Sequence, residues 1–175
     1  MKPISQFTQI EMAAYVQSLL EKEGIRVVLS GGAATAYYSA NKYVSYDVDL
    51  VNVFSVPRQR ILNGLTAHGF IEEGRYLRHP DSPNFIEFPQ GPLTVGLEPV
   101  KSVEQTQLET GVLNIISATD SVKDRLAAFY HWGDEQCLFQ ALLICRACTV
   151  DMQEVRRWSD KEGKLREYER FAGEI

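Results

Sequence analysis

The chain has 175 residues, 45% of them hydrophobic, and a formal net charge of −5 at pH 7. That length and apolar content predict one sizeable core and exclude two independently folded ones. The negative charge argues against strong nonspecific binding to nucleic acid, which depends on lysine and arginine displacing counterions from phosphates.

No apolar run approaches the 18 residues that suggest a membrane span, and residues 1–6 lack the pattern of a secretory signal. We therefore expect a cytoplasmic protein that does not associate with membranes. Its cysteines, Cys137, Cys145 and Cys148, are odd in number, so the sequence favours reduced thiols that pack as small hydrophobic side chains.

The first elements lead to a glycine turn. Apolar spacing predicts a helix over residues 5–22, and the β-branched run at residues 26–29 predicts a strand that stops at Gly31 and Gly32. A second helix then opens at Ala33. Because glycine has no Cβ, a ligand can approach this strand-to-helix turn closely, and the free N–H groups of the helix start favour an anion such as triphosphate.

An acidic pair follows in the next predicted strand, residues 46–54. Asp47 and Asp49 are two residues apart, so both project from one face and lie roughly 6.7 Å apart along the strand. Carboxylates at that separation can reach the same cations. Mg²⁺ prefers such hard oxygen ligands, and two ions about 3.5 to 4 Å apart can activate an attacking oxygen and stabilise a leaving one.

A third carboxylate is expected from a neighbouring strand. Glu87 is the single charge in the apolar run at residues 84–88, and it is the first choice for both metal binding and catalysis. An edge-strand residue that faces water is the alternative interpretation of Glu87. Glu98 is the fallback for the third carboxylate.

The remaining pattern predicts a mixed sheet and then helices. A helix begins near Pro57, short extended runs follow from residue 70 to residue 116, and three helical patterns cover the rest: 120–132, with Thr119 or Asp120 as its cap, 134–149 and 151–171. The expected fold class is therefore α/β (α+β), a mixed sheet flanked by helices and followed by a C-terminal helical bundle. We expect a core over residues 1–118 and a helical subdomain over residues 119–175.

A cleft between sheet and bundle would be the functional one, with Lys123 and Arg125 directed at phosphates. Residues two apart on a helix do not share a face closely, so we expect at most one of them to contact nucleotide and the other to form a surface ion pair.

Gly31-Gly32, a spacer and Asp47-Val48-Asp49-Leu50 resemble the signature of the DNA polymerase β-type nucleotidyltransferase superfamily. Within it, Gly31-Gly32-Ala33-Ala34 and Ser45-Tyr46-Asp47-Val48-Asp49 are similar to the motifs of small AbiEii-like, toxin-associated nucleotidyltransferases. Residues 119–128 resemble a later motif of that family, with Arg125 at its lysine position. Gln136, Cys137 and Gln140 stand about where that family has charged residues.

The resemblance implies a nucleotidyltransferase-type sheet and a Mg²⁺-dependent transfer of NMP from NTP to an acceptor hydroxyl, with release of pyrophosphate. Asp47, Asp49 and Glu87 would be the catalytic carboxylates that bind two Mg²⁺ ions. The predicted nucleotide contacts are Ser30, Gly31, Gly32, Ser45, Lys123 and Arg125. The acceptor is a small molecule, a protein or RNA. The alternatives are a catalytically inactive NTP-binding module and a toxin–antitoxin interaction protein with a protein partner.

Overall fold

A seven-stranded sheet organises residues 2–175, the part of the chain that the computed structural model describes. Helices appear in the order α1 (Gln9–Lys22), α2 (Gly31–Tyr38), α3 (Arg58–Thr66), α4 (Ala118–Trp132), α5 (Glu135–Ala147), α6 (Met152–Lys161) and α7 (Leu165–Gly173), after a 3-10 turn at Ile4–Gln6. The strands are β1 (Val27–Ser30), β2 (Asp47–Asn52), β3 (Ile71–Glu73), β4 (Tyr76–Arg78), β5 (Phe85–Glu87), β6 (Thr94–Val95), β7 (Glu98–Pro99), β8 (Val103–Leu108) and β9 (Gly111–Ile116).

The large sheet has the strand order β3-β4-β5-β2-β1-β9-β8, while β6 and β7 form a separate hairpin. Strand β2 lies at its centre, antiparallel to β1 and parallel to β5. Strand β1 is in turn parallel to β9. The sheet is therefore mixed.

The alternating burial of β2 separates the core face from the face that carries the acidic pair. Val48 and Leu50 are fully buried, as are Met12 and Leu20 of α1 in the same hydrophobic cluster. Burying side chains of this size stabilises the fold by about 1.5 to 3 kcal/mol each. Because side chains alternate along a strand, the first and third residues of β2 project from the opposite face and are only half-buried.

Two details of the C-terminal helices differ from the sequence-based expectation. The cap of α4 is Ser117, whose hydroxyl accepts a hydrogen bond from the Asp120 N–H at 3.0 Å, and neither Thr119 nor Asp120 has that role. The single helix predicted over residues 151–171 is wrong: Gly163 has a φ of +72° and separates α6 from α7. The left-handed region suits glycine and ends a helix.

The expected fold class, a mixed sheet with flanking helices and a helical C-terminal part, is confirmed. The division into residues 1–118 and 119–175 stays a prediction. Within residues 2–175, no helix combines the length and the apolar character needed to cross a membrane. Cys137 is buried, Cys145 and Cys148 are half-buried, and all three are free thiols.

Candidate active site

Strand pairing aligns three of the predicted site residues in one row across the sheet. Ser30 at the end of β1 pairs with Asp49 of β2, and Asp49 pairs on its other side with Glu87 of β5. Directly opposed residues in a sheet share a face, and Asp47 shares the face of Asp49 because it lies two residues earlier. The fold thereby brings Glu87 to the acidic pair across a gap of 38 residues in sequence.

The three carboxylates form a compact donor set. One oxygen atom from each of Asp47, Asp49 and Glu87 lies within 4.8 Å of the other two. No other group of three His, Cys, Asp or Glu side chains within residues 2–175 has this closeness. Three half-buried carboxylate oxygens fit a hard divalent cation such as Mg²⁺, which binds one or two carboxylates together with substrate phosphates.

The surroundings of Asp49 disfavour its ionised form. Its burial, and then the negative charges of Asp47 and Glu87, raise its pKa from 3.8 to about 6, while the positive charge of Arg125 acts in the opposite direction. Neither Asp47 nor Asp49 forms an ion pair within residues 2–175. A bound cation would favour the ionised form that these surroundings disfavour.

The glycine turn is shaped to receive Asp49. Gly31 has a φ of +66°, and a Cβ at this position would lie 1.9 Å from Asp49 Oδ2. A Cβ on Gly32 would lie 2.8 Å from the Ser45 hydroxyl. Gly31 is therefore favoured by both its positive φ and the close approach of Asp49, whereas at Gly32 the Ser45 hydroxyl would have to move by a small distance. Ser30 precedes α2, and its side chain does not accept a hydrogen bond from the first N–H groups of that helix.

Ser45 orients the acidic pair. Its hydroxyl lies 3.0 Å from the Asp47 backbone oxygen and 3.3 Å from Asp47 Oδ1, so it can donate to either one. Gln9 in turn donates its amide to the Ser45 backbone oxygen at 2.9 Å. The nucleotide contact predicted for Ser45 stays a prediction, and the positioning of Asp47 is a role that the sequence did not indicate.

Arg125 of α4 is a basic residue whose charge acts on this cluster. Its guanidinium donates to Asp124 Oδ2 from Nε at 3.1 Å and to Gln140 Oε1 from Nη1 at 3.4 Å, and its side chain is 17% exposed. Burial by itself would lower the pKa of Arg125, but the charge of Asp124, with a contribution from Asp49, holds it above its ordinary value. The residue is a fixed positive charge beside the carboxylates.

Lys123 is engaged elsewhere. Its ammonium lies 2.7 Å from Asp120 and 3.3 Å from Glu154, and its side chain is buried. Successive helix positions are about 100° apart, so residues two apart point in nearly opposite directions. The nucleotide contact predicted for Lys123 stays a prediction. The alternative was a surface ion pair, and the structure shows an ion pair that is buried instead.

Glu98, the fallback third carboxylate, is not part of the acidic cluster. It lies on the separate β6-β7 hairpin, where its carboxylate accepts hydrogen bonds from Arg157 at 2.6 Å and Lys161 at 2.9 Å. Of the two candidates, the structure places Glu87 next to Asp47 and Asp49.

Arg75 is a neighbour of the site that the sequence reading missed. It lies at the turn between β3 and β4, with its Nε 3.5 Å from Glu87 Oε2 and its guanidinium over the Tyr76 ring at 4.8 Å. Tyr76 of β4 pairs with Glu87 of β5, and this pairing brings the preceding residue, Arg75, close to Glu87. That register joins two short strands across a loop and has no local sequence signature.

Two solved structures share this architecture. One is an antigenic nucleotidyltransferase-like protein from Paracoccidioides brasiliensis, with 15% identity and a TM-score of 0.57 over 91% of this chain and 91% of that chain. The other is the solution structure of the antibiotic-resistance factor ANT(2'')-Ia, with 11% identity and a TM-score of 0.51 over 89% of this chain and 94% of that chain. No protein-family model matches the chain, and no curated protein matches it. The chain has a nucleotidyltransferase-like fold, as its motifs predicted.

Proposed function

We propose that this protein is a Mg²⁺-dependent nucleotidyltransferase that transfers NMP from an NTP to an acceptor hydroxyl and releases pyrophosphate. The observation that carries the proposal is the set of three carboxylates whose oxygens lie within 4.8 Å of one another. The set lies against the glycine turn, where a Cβ at Gly31 would be 1.9 Å from Asp49 Oδ2. The nucleotidyltransferase-like fold supports the same activity.

Each residue of the cluster has a distinct part in this proposal. Asp47, Asp49 and Glu87 would hold Mg²⁺, which when bound lowers the charge on the phosphates and favours the ionised form of the attacking oxygen. Ser45 keeps the Asp47 carboxylate in place. Arg125 adds a fixed positive charge on the side of α4.

The glycine turn would bind the triphosphate. The free N–H groups at the start of α2 point away from the helix, and the positive end of the helix dipole favours an anion there. Ser30 and Gly32 would contribute backbone groups to the same contact. In the reaction, the acceptor oxygen would bond to the α-phosphorus while the bond from that phosphorus to the oxygen bridging it to the β-phosphorus breaks, and pyrophosphate would leave. The proton of the acceptor hydroxyl would pass to the Glu87 carboxylate.

We assign the protein to the AbiEii-like, toxin-associated type on its motifs. The supporting residues are Gly31 to Ala34, Ser45 to Asp49 and Arg125. The acceptor is a small molecule, a protein or an RNA end, and the net charge of −5 mildly favours the first two.

Transfer of label from each α-³²P-labelled NTP to a component of a cell extract, in the presence of Mg²⁺, tests the proposal. The wild type should label an acceptor and release pyrophosphate, and Asp47→Asn should reduce both at least about 100-fold because a metal ligand is lost. Asp160→Asn, at an exposed position of α6, is the matched control and should keep full activity.

Two other outcomes would contradict transferase activity. Binding of Mg²⁺ and NTP with no pyrophosphate at high protein concentration would identify an inactive nucleotide-binding module. A small protein that co-purifies with the chain, together with no response to any NTP, would identify an interaction protein of the toxin–antitoxin kind.

A further inference from the structure

The sheet face that carries the acidic cluster continues beyond it onto β5 and β4. Phe85 of β5 pairs with Asp47, so its side chain projects from the same face as that carboxylate. Tyr76 of β4 pairs with Glu87 and projects from this face as well. The two rings contact each other edge to face, with centroids 5.7 Å apart, and Phe85 is 38% exposed. An open aromatic surface therefore lies next to Glu87.

Arg75 adds a positive charge to this surface. Its guanidinium lies over the Tyr76 ring at 4.8 Å, and its side chain is 67% exposed. Within residues 2–175, Glu87 is the only carboxylate with which Arg75 forms an ion pair, at 3.5 Å. Because an exposed ion pair contributes little to stability, Arg75 can exchange Glu87 for the anion of a ligand at small cost.

The order of the strands places the aromatic surface on the side opposite the glycine turn. One row across the sheet runs Ser30, Asp49, Glu87, Tyr76. Neighbouring strands are about 4.8 Å apart, so Tyr76 lies about 10 Å beyond Asp49 and about 14 Å beyond Ser30. In the proposed reaction the triphosphate lies at the turn after Ser30, and the attacking oxygen approaches the α-phosphorus in line with the leaving pyrophosphate. The acceptor therefore approaches from the side of β5 and β4.

We infer that Arg75, Tyr76 and Phe85 form the acceptor site and that the acceptor is a small anionic molecule with a ring beside its hydroxyl, an inference that rests on the proposed function. The ring packs on the exposed face of Phe85, and a phosphate or carboxylate of the acceptor pairs with the Arg75 guanidinium. The acceptor oxygen bonds to the α-phosphorus, pyrophosphate leaves, and the hydroxyl proton passes to Glu87. A polycationic acceptor is disfavoured, because it would meet the like charge of Arg75.

The acceptor class is tested by labelling the small-molecule filtrate of a cell extract with the wild type, Mg²⁺ and each α-³²P-labelled NTP. Portions of the filtrate are first passed through an anion exchanger or a cation exchanger, or treated with a phosphatase that is then removed, and NTP and Mg²⁺ are added last. We expect labelling to fall at least about 10-fold after anion exchange and to persist after cation exchange. Loss of labelling after phosphatase identifies a phosphate as the anion, and its persistence identifies a carboxylate.

Two substitutions test the residues of the acceptor site. Arg75→Gln should raise the amount of filtrate needed for half-maximal labelling about 10-fold, because a charged partner of the anion is lost, and Phe85→Leu should raise it by a smaller factor. Both should leave the KM for the NTP within about 2-fold of the wild type. Arg166→Gln, at an exposed position of α7, and Phe139→Leu, at a position of α5 that is 51% exposed, are the matched controls and should change neither quantity.

Labelling that persists after anion exchange, that is lost after cation exchange, or that is confined to the macromolecular fraction would overturn the inference and leave the proposed function standing. The same holds if Arg75→Gln and Phe85→Leu need no more filtrate than the wild type. No labelled product and no pyrophosphate with the whole extract would overturn both. Thermal unfolding of each variant without ligand shows whether it is folded, and Arg75→Gln should unfold like the wild type because Arg75 is exposed.

Discussion

Two carboxylate clusters in this molecule have opposite electrostatic surroundings. Asp47 and Asp49 lie beside Glu87, and among the described residues, 2–175, neither has an ion pair of its own. Glu98 and Glu154, in contrast, are surrounded by basic side chains. Their shared partner is Arg157, which lies 2.6 Å from each of them.

The pKa directions show the consequence. Hydrogen bonds from Arg157 and then Lys161 lower the pKa of Glu98 to about 2. In the acidic cluster, burial and like charges raise the pKa of Asp49 to about 6. An ionised carboxylate such as Glu98 stabilises the fold through its basic partners. An ionised carboxylate such as Asp49 destabilises the fold unless a bound cation compensates its charge.

This difference separates structural ion pairs from a site that is built for a ligand. Arg157 and Lys161 of α6 bind Glu98 of the β6-β7 hairpin, and their positive charges balance its negative charge. In the acidic cluster, Arg75 pairs with Glu87 at 3.5 Å, but Asp47 and Asp49 have no ion pair within residues 2–175. The cluster lies next to the uncapped start of α2. The comparison yields three predictions that concern the stability and binding of the protein.

The largest expected effect is that of Gly31→Ala. The new Cβ would collide with the Asp49 carboxylate at a position with a φ of +66°, so unfolding free energy should fall by about 3 to 4 kcal/mol. Gly163→Ala is the matched control, because Gly163 has a φ of +72° and no atom within 4 Å of its Cβ position. It should cost about 1 kcal/mol. Equal losses in urea unfolding would show that the contact with Asp49 is unimportant.

Glu98→Gln should weaken the Glu98 network and leave the acidic cluster of Asp47, Asp49 and Glu87 unchanged. Loss of the negative charge leaves Arg157 and Lys161 with a weaker acceptor, so the free energy of unfolding should fall by about 2 kcal/mol. Affinity for Mg²⁺ with NTP should not change. Glu21→Gln, at an exposed position of α1, should have little effect on either quantity. A loss of nucleotide binding in Glu98→Gln would argue that the two clusters are coupled.

Asp49→Asn should have the smallest effect and the opposite sign. With metal removed by chelator, the variant should be more stable than the wild type by about 1 to 2 kcal/mol at pH 8, because a buried like charge is gone. The native pKa of about 6 lies above the ordinary 3.8, so the native wild type binds this proton more tightly than the unfolded chain. Its contribution to stability is therefore present below pH 4 and is lost as pH rises through about 6.

The difference between Asp49→Asn and wild type should consequently be small near pH 4 and reach its full value above about pH 7. Thermal unfolding in chelator across that range measures it. Mg²⁺ with NTP should stabilise the wild type more than the variant. A variant that is less stable than the wild type at pH 8 would show that Asp49 is a satisfied structural residue.

The sequence predicted the parts of the site that local patterns determine. Gly31 and Gly32 stand at a strand end, and Asp47 and Asp49 alternate on one strand, so both motifs were readable from spacing. Glu87 was the first choice for the third carboxylate and Glu98 the fallback, but local patterns alone do not decide between them, because the answer depends on which later strand pairs with β2.

Long-range context also determines features that local patterns do not indicate. Strand β8 is polar, Val-Glu-Gln-Thr-Gln-Leu, since it lies at the sheet edge and, in residues 2–175, pairs only with β9. Its sequence therefore lacks the apolar run that identifies a strand.

The most direct test of the central claim is anomalous diffraction from crystals soaked with Mn²⁺ and a non-hydrolysable NTP. We predict a Mn²⁺ peak bound by Asp47, Asp49 and Glu87, with the triphosphate of the analogue against the turn at Gly31. A well-ordered acidic cluster with no Mn²⁺ peak, or a nucleotide bound elsewhere on the molecule, would contradict it.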